Sequence, residues 1–128
     1  MSVRVVRLGT RRHPREGLRI GTVRRPPRGV PKSKYASSDW YDVWLPNLSP
    51  SPATIGAYSA ARTDAAWRKL ARTYRAEMAK PESRAVLDVL AALSRTTNFS
   101  VGCYCEDEAR CHRSLLRKLL VEHGAKVA

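Results

Sequence analysis

The chain has 128 residues, of which 43% are hydrophobic, and it carries a formal net charge of +13. A chain of this length can bury a hydrophobic core without needing disulfides or metal, so we expect one domain spanning residues 1–128. No apolar run reaches the length of a membrane span and the N-terminus lacks the apolar segment of a secretory signal, which excludes a membrane protein and predicts a cytoplasmic one.

The positive charge is concentrated near the N-terminus. Residues 1–34 hold eleven Lys and Arg and one acid, whereas residues 35–128 hold thirteen basic and ten acidic residues. Such a local field attracts polyanions or phosphorylated ligands, so a small anionic ligand and nucleic acid are the partners that we expect. Alternatively, the composition is rich in arginine only for solubility, and the excess of positive charge then indicates no partner.

The first third of the chain predicts short strands separated by loops. Residues 3–8 are rich in β-branched side chains and form the first predicted strand. Residues 18–24 alternate between apolar and polar side chains and predict the second. Prolines make residues 26–31 a loop, and the aromatic, β-prone residues 39–45 predict a third strand or an extended segment.

The middle of the chain predicts helices. Ser51 followed by Pro52 is typical of a helix start, and the helical region after it runs to about residue 80 with a break near Thr63 and Asp64. Another helix begins at Pro81.

Residues 98–101 predict a last strand, and a last helix begins near Cys111 and ends at Gly124. Apolar residues at helical spacing mark one buried face on each helix. The residues predicted to point inward are Trp67, Leu70, Ala71, Tyr74, Met78, Val86, Leu87, Leu90, Leu93, Leu115, Leu116, Leu119 and Leu120.

This order of elements predicts an α/β or α+β fold: one compact domain with a small mixed or parallel sheet of about three to five strands, packed with about three to five helices. In open α/β sheets, ligands usually bind beyond the carboxyl ends of the strands. The loop between residues 103 and 113 is therefore at the expected functional edge.

All three cysteines fall in this loop region, and an odd, clustered number argues against a disulfide framework and for a reducing compartment. Cys103, Cys105, Cys111 and His112 offer sulfur and nitrogen ligands for a tetrahedral zinc ion. Against this, neighbouring residues in a helical turn point in different directions, so Cys111 and His112 rarely reach one ion. The spacing is also not that of a paired zinc knuckle.

Two other interpretations of the same region stay open. Cys111 at a helix N-terminus between Arg110 and Arg113 would have a stabilised thiolate, although the acidic residues 106–108 oppose this. Alternatively, the free N–H groups of that helix start, together with His112 and Arg113, would hold a phosphate or carboxylate.

Nucleic acid is the alternative partner. Aromatic residues follow the basic N-terminal segment, and charge combined with stacking is how single strands are held. The aromatic residues concerned are Tyr35, Trp40, Tyr41 and Trp44. The same tryptophans serve equally as core residues.

Four segments resemble a known family. They are Arg24–Lys32, which reads RRPPRGVPK, Leu48–Ser51, Trp67 with Tyr74–Glu77, and Cys111–Arg113. In these the chain is similar to domain-of-unknown-function family 488 (DUF488), in its YeaO-like branch. The resemblance implies a compact α/β domain of bacteria and archaea whose activity is not established.

The resemblance also implies a site. In the wider family the last strand often ends in a Cys with a Glu two places later. Cys103 fits that Cys, while Cys105 stands in the Glu place, or Glu106 serves instead. The site residues that the resemblance suggests are Arg25, Arg28, Cys103, Glu106, Cys111, His112 and Arg113.

Three hypotheses follow. The first is a small binding protein or enzyme for an anionic, nucleotide-like ligand, with Cys111 and His112 at the reacting centre and a ligand-binding set of Arg25, Arg28, Glu106 and Arg113. The second is a nucleic-acid-binding accessory protein that uses the basic N-terminal segment. The third is a thiol-based zinc or redox sensor. The sequence leaves monomer and dimer open.

Overall fold

In the computed structural model, which describes residues 1–128, four strands form one parallel sheet. They are β1 (Val3–Arg7), β2 (Leu18–Gly21), β3 (Val43–Trp44) and β4 (Phe99–Cys103). Their spatial order is β1-β4-β2-β3, so the last strand of the chain lies between the first two. The sheet is thus parallel throughout, and all four carboxyl ends meet at one edge.

Four α-helices complete a single α/β domain, as predicted. They are α1 (Pro52–Ala61), α2 (Asp64–Met78), α3 (Pro81–Leu93) and α4 (His112–Glu122). Short 3-10 turns occur at Lys32–Lys34, Pro46–Leu48 and Glu108–Arg110. No helix has the length and hydropathy needed to cross a membrane.

The predicted start and break of the first helical region are confirmed. The Ser51 side chain accepts a hydrogen bond from the Thr54 N–H at 3.3 Å, and Pro52 occupies the first helical position. Arg62 then adopts a left-handed conformation with φ of 50°, which ends α1. Thr63 caps α2 by accepting from the Ala66 N–H at 3.1 Å.

The helices pack on one face of the sheet. Phe99 and Val101 of β4 point into this core, and their register partners Val3 and Val5 share the face. The leucines predicted on α4 are all buried there. Leu93 is the exception to the predicted inward positions, with 42% of its surface exposed. The buried stripe of α3 continues instead from Leu90 to Ser94, which is four residues further on.

Of the third strand or extended segment predicted at residues 39–45, only Val43 and Trp44 form a strand, at the edge of the sheet. Asp39 has a φ of 63°, so the backbone turns before the strand begins. The ring of Tyr41 then packs closely against Gly21, where a Cβ atom would come within 2.3 Å of it. This segment therefore serves mainly to cover the face of the sheet opposite the helices.

A buried ion pair occupies the middle of that second face. Arg19 on β2 donates to both carboxylate oxygens of Glu16 at 2.6 and 3.0 Å, and neither side chain exposes more than 2% of its surface. Ser100 on β4 donates to the same carboxylate at 2.6 Å. Arg19 also donates to the carbonyl oxygens of Thr10 and Asp39 at 2.8 Å each. The pair therefore joins two strands and two loops.

Acid should weaken the fold through Glu16. Burial alone raises the pKa of this carboxyl, but hydrogen bonds from Arg19 and Ser100 outweigh it and lower the pKa from 4.5 to about 2. Because the folded-state pKa lies below the unfolded one, Glu16 stabilises the fold fully above pH 4.5 and progressively less as pH falls toward 2.

We expect Glu16→Gln to cost about 3–5 kcal/mol at neutral pH, because it leaves Arg19 buried without a counter-charge. The variant should also show a flatter loss of stability in acid, measured by urea unfolding across the pH range. Glu82→Gln, at an exposed position on α3, is the matched control. Equal pH profiles for Glu16→Gln and the control would contradict this role for the ion pair.

Candidate functional site

The candidate site lies at the carboxyl edge of the sheet, between the end of β4 and the start of α4. A cavity of about 800 Å³ opens there. Its walls come from the strand ends, the loop that carries the cysteines, and helices α1 and α2. Lining residues include Arg24, Arg25, Tyr58, Arg62, Trp67, Cys103, Tyr104, Cys105, Glu106, Asp107, Arg110, Cys111 and His112.

Cys111 and His112 point to the same side, contrary to the expectation from helical geometry. Cys111 is the N-cap of α4 and has an extended backbone, with φ of −121° and ψ of 148°. Only His112 is helical, so the two side chains are not separated by a helical step. The Cys111 Sγ and His112 Nδ1 atoms lie 3.8 Å apart. The objection to a shared ligand therefore does not hold in this conformation.

The thiols form one cluster. The sulfur atoms of Cys103 and Cys105 are 3.7 Å apart. Cys103, Cys111 and His112 bring ligand atoms within 4.8 Å of one another, so these three residues could hold a metal ion. Cys103 and Cys111 are buried, whereas Cys105 is exposed.

The orientation of His112 is set by the neighbouring strand. Its Nε2 atom lies 2.7 Å from the carbonyl oxygen of Thr22, and because a carbonyl can only accept, Nε2 carries the proton. The ring packs edge-on against Tyr74 at 5.7 Å. Burial lowers the pKa of His112. The imidazole is therefore neutral, with the Nδ1 lone pair directed at Cys111.

Protons are shared unequally among the thiols. Hydrogen bonds from Cys103 and Cys111 lower the pKa of Cys105 well below its ordinary value, against the effect of burial. The hydrogen bond to Cys105 raises the pKa of Cys103. For Cys111, the neighbouring Cys103 lowers the pKa, but the neighbouring Cys105 and burial outweigh this and raise it. Of the three thiols, Cys105 is thus the one whose ionisation its neighbours favour.

Arg113 lies behind the cysteine loop. It exposes only 4% of its surface and does not line the cavity. Its guanidinium donates to the carbonyl oxygen of Cys105 at 2.5 Å, while the buried Nε has no hydrogen-bond partner. In this arrangement Arg113 positions Cys105, and its positive charge favours the thiolate there.

The other predicted ligand-binding residues are divided between two cavities. Arg25 and Glu106 line the cavity with the cysteines, and Glu106 also pairs with Arg7 at 3.5 Å. Arg28 lines a neighbouring cavity instead. The structure therefore brings Arg25 to the thiols, as the sequence predicts, but leaves Arg28 outside the thiol pocket.

Sequence reasoning missed the wall contributed by α1 and α2. Arg62, which ends α1, lines the cavity, and Arg110 from the cysteine loop pairs with Asp64 at the start of α2 while lying 6.0 Å over the Trp67 ring. Tyr58 packs edge-on against that ring at 5.7 Å. The helix break near Asp64 was visible in the sequence, but nothing local indicates that the break faces the cysteines.

Three of the four aromatic residues of the N-terminal half, Tyr35, Tyr41 and Trp44, line a third cavity of about 570 Å³ together with Lys32. Tyr41 is buried, and Tyr35 packs against its ring at 5.3 Å. Trp44 donates its indole N–H to the Val23 carbonyl oxygen at 2.8 Å. Trp40 lines the same neighbouring cavity as Arg28. Of the four residues, Trp40 is thus the one that stands with the arginines at an open cavity.

Comparison with known proteins yields one match. A family model described as the active DUF488-N3 subclade matches residues 3–124. No curated protein and no solved structure matches the chain. The matched span includes every residue of the cavity wall.

Thiol reactivity provides a direct test of the site. Below its pKa, an ordinary thiol is alkylated about tenfold faster for each pH unit, because the thiolate is the reacting form. The alkylation rate of a thiol that is already ionised does not change with pH. We expect iodoacetamide to modify Cys105 at a nearly constant rate from about pH 6 to about pH 8. In Cys103→Ala, which lacks one hydrogen-bond donor, the rate at about pH 6 should fall about tenfold.

Peptide mass mapping measures the modification site by site. Buried Cys103 and Cys111 of the folded wild-type protein are internal controls, since they should react slowly at every pH. A Cys105 rate that climbs tenfold per pH unit in the wild type would show that this thiol is not ionised.

Proposed function

Because the chain belongs to the DUF488 family, we propose that it is a cytoplasmic enzyme that binds an anionic, nucleotide-like ligand beside its thiol cluster. The matched subclade is described as active, which accords with an enzyme. The odd, clustered cysteines suit a reducing compartment. The YeaO-like branch and the oligomeric state stay predictions.

One observation carries this proposal: arginines and the exposed thiol of Cys105 line the same cavity. Arg25 and Arg62 make no side-chain hydrogen bond or ion pair within the chain, so both guanidinium groups are free for a ligand. Arginine suits phosphate and carboxylate because its planar N–H groups bind two oxygens together. The volume of about 800 Å³ is in the range that holds a nucleotide-sized ligand.

The remaining wall is suited to an aromatic ring. Tyr58 and Trp67 form an edge-to-face pair on the α1–α2 side of the cavity. If the base of a nucleotide packs against this pair, the phosphate of that nucleotide would lie toward the arginines. Such a combination of apolar wall and few convergent polar groups is typical of small-molecule sites.

The exposed Cys105 is the group that we assign to the reaction. Its thiolate would attack an electrophilic atom of the ligand, forming a bond from sulfur while the leaving group departs with its electron pair and takes a proton from solvent. Water would then displace the sulfur. Cys111 and His112, the predicted catalytic pair, would support it from behind: the Cys111 thiol donates to Cys105, and the His112 ring packs against Cys111 with its Nδ1 atom 3.8 Å from the sulfur.

Ligand binding should depend on Arg62. We expect a nucleoside monophosphate, measured by calorimetric titration, to bind Arg62→Gln about tenfold more weakly than wild type, because one charge-assisted hydrogen bond is lost. Arg84→Gln removes the same charge from the exposed surface of α3, far from the cavity lining, and should bind like wild type. Equal weakening in both variants would indicate a general charge effect and contradict the site.

A zinc site is the second candidate, and the interatomic distances favour it. A tetrahedral ion with zinc–sulfur bonds of ~2.3 Å separates its ligands by ~3.8 Å. The Cys103–Cys105 and Cys111–His112 pairs stand at 3.7 and 3.8 Å. The hydrogen bond from His112 Nε2–H to a backbone carbonyl is also the arrangement that orients a zinc-bound imidazole.

Zinc content separates this second candidate from the first. If Cys103, Cys105, Cys111 and His112 hold zinc, protein purified anaerobically without a metal-binding tag should contain one ion per chain by mass spectrometry under native conditions. Cys111→Ser should lose the ion, whereas Arg62→Gln should keep it. Wild-type protein that neither contains zinc nor takes it up on titration would eliminate the metal site.

A further inference from the structure

A second cavity, of about 850 Å³, lies beside the thiol pocket. It is formed by the end of β1, the loop after it and the proline-rich loop that follows β2. Its lining residues are Arg7, Leu8, Gly9, Thr10, Arg25, Pro26, Pro27, Arg28, Trp40 and Tyr104. Arg25 and Tyr104 line the thiol pocket as well, so the two cavities share one wall.

The lining of the second cavity is basic and aromatic. It contains three arginines and no acidic residue. Arg28 is exposed and makes no side-chain hydrogen bond or ion pair within the chain. Trp40 and Tyr104 meet edge-to-face with their ring centres 5.8 Å apart. Aromatic rings beside free guanidinium groups are the combination that holds a nucleoside and its phosphate.

Two hydrogen bonds hold the wall that the two cavities share. The Tyr104 hydroxyl donates to the backbone carbonyl of Arg25 at 2.9 Å, which ties the cysteine loop to the proline-rich loop. The Arg7 side chain donates to the Tyr104 carbonyl at 3.3 Å from the other side. The side chain of Arg25 is exposed and unpaired, so its charge stands at the boundary between the two cavities.

We propose that the second cavity binds a second nucleoside, joined through phosphate to the nucleotide in the thiol pocket. This inference rests on the proposed function. The linking phosphate crosses the shared wall at Arg25, while Arg28 binds the phosphate of the second unit and the Trp40–Tyr104 pair supports its base. The ligand class is two nucleosides joined by phosphate, of which a nucleic-acid strand and a dinucleotide with a diphosphate bridge are the two sources.

The proposal accounts for part of the uneven charge of the chain. Arg7, Arg25 and Arg28 all belong to the basic N-terminal segment, and the fold gathers them around one cavity. Their sequence separation hides this, because Arg7 ends β1 whereas the other two follow β2. Carboxyl ends of neighbouring parallel strands bring such residues to a common edge.

The test compares one nucleotide with two. Binding of 5′-thymidylate, of 5′-phosphorylated dithymidylate and of NAD⁺ is measured by calorimetric titration of the intact protein. We expect one of the two-nucleoside ligands to bind about tenfold more tightly than 5′-thymidylate, because it adds a stacked base and a phosphate contact. The ligand that shows this gain identifies the source.

Three variants assign the gain to the second cavity. Arg28→Gln should remove the advantage of two nucleosides and leave 5′-thymidylate binding unchanged, and Arg28→Lys should keep part of it. Arg84→Gln, on the outer surface of α3, should behave like wild type. The Arg28 side chain is exposed and makes no hydrogen bond within the chain, so folding of these variants is expected and is checked by thermal unfolding.

The failure of this proposal differs from that of the proposed function. If 5′-thymidylate binds and Arg62→Gln weakens it, but neither larger ligand gains, the second cavity is not a nucleoside site and only this inference fails. If no ligand binds the wild type at all, the proposed function fails with it. A gain that Arg28→Gln leaves intact would also overturn the assignment.

Discussion

The buried ion pair of Glu16 and Arg19 is the interaction on which the second face of the sheet depends. Parallel sheets are normally covered on both faces by helices, but here the helices pack on one face only. On the other face, the ion pair with its hydrogen bonds to Ser100 and to loop carbonyls, together with an apolar cluster that includes Leu8, Val23 and Tyr41, takes the place of a helical layer. Since a buried charge without a partner is costly, the loop between β1 and β2 is held against β4.

The strand order determines where the thiols are placed. The chain crosses from β1 to β2 in ten residues, and β4 lies between these two strands with all five of its residues buried. Its last residue, Cys103, then emerges at the middle of the functional edge. The same strand order puts Thr22 beside the start of α4, where its carbonyl orients His112. The polar network on one face therefore supports the chemistry built at the edge.

Most of the fold was predictable because its signals are local. Three predicted features depend only on neighbouring residues: the helix cap at Ser51, the apolar spacing along α2 and α4, and the glycine at residue 124. All three agree with the structure. The cavity wall was not predictable, because Tyr58, Arg62 and Trp67 meet the thiols only through tertiary packing. The orientation of Cys111 also escaped prediction, since a residue at a helix cap keeps extended dihedral angles rather than helical ones.

The thiol cluster supports two chemistries, and the surroundings favour one of them. A zinc ion held by all four residues would have no open position and would occupy the Cys105 thiolate, whereas one held by Cys103, Cys111 and His112 would leave Cys105 outside its ligand set. A closed structural zinc site does not explain why the cavity wall carries free arginines and an aromatic pair. Cys105 is, moreover, the one cysteine of the cluster exposed toward that cavity, with Arg113 placed behind it to stabilise its charge. An enzyme for an anionic ligand explains the thiols and the cavity together, whereas a zinc site explains the thiols alone.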